Sequence, residues 1–279
     1  MSRKFRELIP LFAIALMIIG GIVVFLIPAF WWIKTRREKL ATVLVGAATW
    51  FLFAIVLESI PKTIFLNPAS SLGQTIMNSA VLFTVIGAAL AGIFEETGRF
   101  VAYKTILKNR TNKETGISHG IGHGGFEAFF ILGLSGIQYI AYALMINSGK
   151  FQELIDMSLE QGMPESMLAQ VTSIPDMLMG INPGYVVLPL LERVFAITLH
   201  VALSVLVFYA VRDRKIWMYG LAIILHTLFD VPAAFFQFGV NTNIFVVEII
   251  IAVYAIALFV IIYNVLYKND RKTKLAEEA

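Results

Sequence analysis

No cysteine occurs in the 279 residues, which excludes disulfides, thiol nucleophiles and cysteine-ligated metals. Charge is scarce as well: Asp, Glu, Lys and Arg make up 15% of the chain, against 58% hydrophobic residues. A mean hydropathy of +0.78 lies outside the range of soluble domains and indicates a polytopic membrane protein. The net charge is only +3, and the basic residues sit in short connections between apolar runs. They read as topology signals rather than as a nucleic-acid surface. No period of roughly 20–50 residues recurs, and no second soluble domain is evident.

What the chain has in quantity is apolar runs of about 20 residues or more, enough to cross a bilayer as helices. Such runs at about 8–33, 40–60, 76–102, 117–147, 185–211, 216–237 and 243–267 predict an all-α transmembrane bundle of about seven spans, one integral-membrane domain in a lipid bilayer. The first run is too long for a signal-peptide core and lacks a small-residue cleavage site, so it reads as a retained helix. Basic clusters follow the first span (Lys34, Arg36, Arg37, Lys39), the third (Lys104, Lys108, Arg110, Lys113), the fifth (Arg212, Arg214, Lys215) and the seventh (Lys268, Arg271, Lys272, Lys274). The other side has only Lys62, Lys150 and the dissenting Arg3, Lys4 and Arg6. The positive-inside rule then places the C-terminus in the cytoplasm and the N-terminus outside. The long connection 148–184 carries Glu153, Asp156, Glu160, Glu165 and Asp176 among Met157, Leu159, Met163, Met167 and Leu168. That pattern predicts a short amphipathic helix on the outer surface. The charged tail from Lys268 reads as mobile.

Against this apolar background the polar residues stand out. Glu95, Glu96 and Arg99 end the third run, where ionised groups cost several kcal/mol each and face a cavity or a partner. At helical spacing Arg99 reaches both acids. Two acids sharing one cation cannot both be fully neutralised, which separates their proton affinities and makes an acid and a base from like groups. The fourth span opens Gly-Ile-Ser-His-Gly-Ile-Gly-His-Gly-Gly-Phe-Glu, with His119, His123 and Glu127 on one stripe. Glycines 120, 122, 124 and 125 let a neighbouring helix or an extended substrate approach that backbone. The fifth span holds Glu192, Arg193 and His200. Arg193 and His200 share a face, whereas Glu192 and Arg193 should point apart and need separate partners. Pro189 frees the Tyr185 carbonyl and marks a kink. In the sixth span Asp230 lies one turn from His226 and can fix its tautomer. Glu248 stands alone and reads as interfacial. Counted from the basic ends, Glu95, His123, Glu127, His200, His226 and Asp230 lie roughly 10–20 Å deep, which predicts one buried polar site open to the cytoplasmic half.

Carboxylates, imidazoles and guanidiniums without a thiol suit hydrolysis by activated water. His123, His200 and His226, with Glu127 or a Glu95/Glu96 carboxylate, could bind zinc or another divalent metal with water as the exchangeable ligand. The same residues could act without metal, Glu95 as base and His226–Asp230 on the oxyanion. The missing His-Glu-x-x-His and Gly-x-Gly-Asp argue against the familiar zinc helix and an aspartyl dyad. Gly133-Leu-Ser-Gly136 matches a short serine-protease motif, but leaves the glutamate pair unexplained.

Glu-Glu-x-x-Arg at 95–99, Gly-x-Gly-His-Gly-Gly-x-Glu at 120–127, Glu-Arg with a later His at 192–200, and His-x-x-x-Asp at 226–230 resemble the YhfC family of bacterial membrane proteins. More distantly they resemble the CAAX prenyl endopeptidase and bacteriocin-processing proteins and the PrsW proteases. The resemblance implies a glutamate- or metal-dependent intramembrane endopeptidase in the bacterial plasma membrane, acting on a membrane protein or peptide. By it, Glu95 and Glu96 are the paired acids that activate water, and His200 and His226 match the later histidines. Asp230 replaces a more usual Asn, and Arg99 follows the pair by a shorter spacing. On this reading Glu95, Glu96, Arg99, His200, His226 and Asp230 are catalytic, and His123, Glu127, His200 and His226 are candidate metal ligands. A proton-coupled transporter and a catalytically inactive scaffold are the rivals.

Overall fold

An apolar segment in lipid must satisfy its own backbone, and the helix does so within one segment. The computed structural model describes residues 11–36, 38–160, 165–181, 183–240 and 243–270. Among them are seven helical stretches long and apolar enough to cross a membrane. In chain order the elements are α1 (Leu11–Arg36), α2 (Leu40–Trp50), a π-helical turn (Phe51–Leu57), α3 (Ser59–Phe65), α4 (Ser71–Met77), α5 (Ala80–Lys104) and α6 (Glu114–Asn147). They continue with α7 (Phe151–Glu160), α8 (Glu165–Met179), α9 (Pro183–Arg212), α10 (Trp217–Phe238), α11 (Ile244–Ile262) and a second π-turn (Tyr263–Tyr267). The all-α expectation holds, with shifted ends. Ile76 falls in α4, because the Ser79 hydroxyl accepts from the Leu82 amide and starts α5 afresh. The second span runs on through the π-turn to Phe65. Helix α9 continues through Pro189. The predicted surface helix is two helices, α7 and α8, which pack on each other. Arg3, Lys4, Arg6, Arg37, Met163, Arg271, Lys272 and Lys274, together with the Met167 and Tyr185 side chains, lie outside the described residues.

The chain divides into two compact units, one of residues 1–24 and 129–191 and another of 25–128 and 192–279. In the first, Ala13, Met17, Leu132 and Val186 form one buried cluster, and Ile14, Ala143 and Leu178 another. In the second, every residue of α9 from Val201 to Ala210 is buried. A helix apolar and covered on all sides is a core helix. The α9 span has 78% of its most apolar stretch buried, against 33% or less for the other spans. Helix α5 packs chiefly on α10 and also on α2. All the ionisable residues singled out in the third to sixth spans belong to this second unit.

Candidate active site

Two close approaches bring the polar residues together. A Cβ on Gly124 of α6 would stand 2.9 Å from the His200 Cβ of α9, and one on Gly92 of α5 would stand 2.9 Å from the Ile223 carbonyl oxygen of α10. The glycines thus serve helix contact. They seat His123 and Glu127 against His200, and Glu95 and Glu96 against His226.

Arg99, fully buried, is the hub. Its Nη1 pairs with Glu96 Oε1, and its Nη2 lies 3.8 Å from Glu95 Oε2. The same Nη2 donates to His200 Nδ1 at 2.6 Å, and Nε donates to Ser204 Oγ at 3.1 Å. Glu96 Oε1 also meets His226 Nδ1 at 2.7 Å, so Glu96 is spent on holding Arg99 and His226. Glu95 is freer. Its Oε2 lies 2.8 Å from His123 Nε2, 3.8 Å from His226 Nε2 and 3.9 Å from His200 Nδ1. Asp230 Oδ2 is 3.6 Å from His226 Nε2, beyond hydrogen-bond reach. The ring's orientation is therefore set by Glu96 rather than by Asp230, because α10 presents Nδ1 to α5.

Glu127 lies between α6 and α9. Arg193 Nη1 donates to its Oε1 at 2.9 Å, and its Oε2 stands 2.6 Å from His200 Nε2 without an aligned hydrogen bond. Arg193 thus takes Glu127 as a separate partner, but it also pairs with Glu192: its Nε donates to Glu192 Oε2 at 3.0 Å, and a second contact closes the fork. Both side chains are long enough to fold toward each other although their Cα–Cβ bonds diverge. Glu248 is half-buried and within electrostatic range of Glu192 and Arg193. His119, fully buried, has Nδ1 3.3 Å from Ser204 Oγ, and its ring lies 6.0 Å from that of His123.

Sequence reasoning passed over Glu58, Ser204 and Tyr103. Glu58 is 2% exposed, pairs with Lys62 at 2.7 Å and lies within electrostatic range of His226, Glu127 and Asp230. A lone acid in an apolar run was its signal, and the π-turn before it is a feature frequent at functional sites. Ser204 and Tyr103 look like ordinary span residues, and nothing in the sequence marks them.

Ligand atoms of Glu95, His123, Glu127 and His200 all lie within 4.8 Å of one another. Tetrahedral zinc with bonds of about 2.1 Å keeps its ligands about 3.4 Å apart, so side-chain shifts of about 1 Å would admit an ion. The donor set of imidazole and carboxylate suits such a metal. Two features support the fit: the buried His123 Nδ1 and Glu127 Oε2 accept no aligned hydrogen bond, and Glu95, Glu96, Glu127, Glu192 and Asp230 face only Arg99 and Arg193 as permanent cations. Protons or a cation must balance that excess. Binding through His200 Nε2 would put the ring proton on Nδ1, which could then no longer accept from Arg99 Nη2. His226, expected among the ligands, stands outside this cluster: its Nδ1 meets Glu96 at 2.7 Å, and its Nε2 lies 3.8 Å from Glu95 Oε2.

Exposure is greater on the side away from the one the sequence suggested. Side-chain exposure is zero at Arg99, Glu96 and His123 and rises to 13% at Glu127, 24% at Glu192 and 29% at Asp230. Arg99 and His119 lie about 8 Å from the basic helix ends, Glu127 and Asp230 about 20 Å. The basic side is closed by Tyr103, whose ring packs 4.9 Å from His119 and 5.6 Å from Phe208.

The buried centre is assembled from α5, α6, α9 and α10, and comparison with known proteins gives the chain a family. A family model described as YhfC intramembrane metalloprotease matches residues 19–251. The chain belongs to the YhfC family. It is 33% identical over 249 residues to the "Uncharacterized membrane protein YhfC" of Bacillus subtilis (strain 168), covering 87% of this chain and 92% of that relative. No solved structure matches the chain. The family's name is that of an intramembrane metalloprotease, and Glu95, His123, Glu127 and His200 form a possible metal-binding cluster.

Proposed function

We propose that the protein is an intramembrane metalloendopeptidase that hydrolyses a peptide bond of a membrane protein or membrane-associated peptide. The observation that carries this reading is the position of Glu95 Oε2, 2.8 Å from one imidazole and within 4 Å of two others. His123, Glu127 and His200 would hold a divalent metal such as zinc, a two-histidine, one-carboxylate set that leaves a position for water. When bound, the metal would lower the pKa of that water and polarise the substrate carbonyl.

The chain's own groups do the rest. Glu95 takes a proton from the attacking water as oxygen adds to the carbonyl carbon. His226 donates from Nε2 to the developing oxyanion, held at Nδ1 by Glu96. The C–N bond then breaks, and the proton on Glu95 passes to the leaving amine. Arg99 holds Glu96 in place, and Arg193 orients Glu127. The bilayer provides the apolar walls that exclude bulk water, and Asp230 stands at the more exposed edge.

The test compares purified variants by metal analysis and by proteomics of membranes in which they are expressed. Glu95→Gln is expected to retain metal and fold while cleavage falls by at least about 1,000-fold, trapping substrate. His123→Ala is expected to lose both metal and cleavage, and His226→Ala to keep metal and lose cleavage. Full cleavage by Glu95→Gln and His226→Ala would refute the assignment.

A further inference from the structure

A cavity of about 530 Å³ opens beside the basic ends of α5 and α9. Lys104, Lys108, Arg110, Arg212 and Arg214 line it, and among the described residues no carboxylate does. Arg212 is committed to Asp213 and Asp270, at 3.0 and 2.6 Å. Lys104 Nζ lies 5.1 Å over the Phe100 ring. Lys108, Arg110 and Arg214 form no ion pair among the described residues. Arg214 holds φ +57°, a left-handed conformation uncommon outside glycine and asparagine. The turn that carries it from α9 into α10 also sets its side chain at the cavity.

The buried rings of Tyr103 and Phe208 line the inner wall and separate this cavity from the His119 side of the polar cluster. On the rim Ile216 is 60% exposed, and the neighbouring Ile106 and Trp217 are 70% and 62% exposed. Cations concentrated in a hollow repel one another unless an anion joins them, and a phosphoryl group accepts several such donors at once. Exposed Trp and Ile beside it belong at the level where headgroup meets acyl chain. Generic topology signals account for basic residues on this side. They do not account for a hollow that no acid lines among the described residues, nor for the left-handed Arg214.

We propose that this cavity binds the phosphoryl headgroup of an anionic lipid, with the acyl chains lying against Ile106, Ile216 and Trp217. The site is independent of the proposed hydrolysis. Basic pockets among span ends are a recognised form of lipid headgroup site, and the volume is that of a small-molecule pocket.

The test uses the full-length protein in nanodiscs of mixed phosphatidylcholine and phosphatidylglycerol, released into native mass spectrometry. Wild type is expected to retain phosphatidylglycerol over phosphatidylcholine by about tenfold, and Lys108→Gln with Arg214→Gln to lose about that factor. Lys108→Arg with Arg214→Lys should restore it. A charge-matched control, Lys34→Gln with Arg36→Gln, removes cations that stack on Phe30 and Trp32 and should leave retention unchanged. Thermal melting reports folding, and if the double variant melts early the exposed Lys108→Gln alone is expected to lose about threefold. No preference in wild type, or equal loss in the charge-matched control, overturns the site. Calorimetric titration with inorganic phosphate covers the other source: binding below about 100 μM without lipid retention overturns the lipid as occupant.

Discussion

Arg99 is the residue on which the buried centre depends. Four of its neighbours, Glu96, Glu95, His200 and Ser204, come from two helices, and only a planar fork with several donors reaches them together. Arg99→Lys keeps the charge but cannot span those partners. It is expected to destabilise the protein by about 2–4 kcal/mol, because buried acids lose their partners, and to lower the melting temperature in detergent. An unchanged melting temperature would show that Arg99 is not the hub. The motif spacing made the Arg99–carboxylate contact legible in the sequence, since three- and four-residue separations share a helix face. The contacts to His200 and Ser204, more than a hundred residues away, were not legible, because helical periodicity says nothing about which faces of different helices meet.

At the scale of elements, α6 and α9 must come unusually close for His123, Glu127 and His200 to share a site. Gly124→Val would place a Cβ 2.9 Å from His200 Cβ. It is expected to cost about 1–3 kcal/mol through overpacking and to reduce metal content and cleavage. Gly133→Ala on the same helix, where the nearest atom to a Cβ is 3.8 Å away, should be neutral or stabilise by up to about 1 kcal/mol. Equal effects of the two, read by melting and metal analysis, would remove the close-packing argument. The glycine-rich stretch advertised close approach by something. Whether a helix or a substrate made that approach depended on where α9 lay.

The whole molecule sets the direction of access. The absence of cysteine makes single-cysteine variants clean probes. Asp230→Cys is expected to react with a membrane-impermeant maleimide at least about tenfold faster than His119→Cys, given exposure of 29% against a buried ring. If the basic ends are cytoplasmic, as the positive-inside rule expects, Asp230→Cys in intact cells is labelled from outside. Labelling of His119→Cys at the same rate would return the opening to the basic side. The sequence suggested that side because it supplies depth along each helix but not which end of a cluster is plugged. Here Tyr103 and Phe208 form the plug, and neither is distinguishable from any other aromatic in a span.

By itself the sequence determined the number of spans, the all-α class and the identity of the ionisable residues. Each is a local property: a run of apolar residues must be helical in lipid, and a charge within it must find a partner. Only the tertiary structure decided that Glu95, His123, Glu127 and His200 converge while His226 turns to Glu96. It also paired Glu192 with its own neighbour and added Glu58 to the surroundings of the site. Those outcomes rest on helix rotation and separation, which small residues permit and which no single segment encodes.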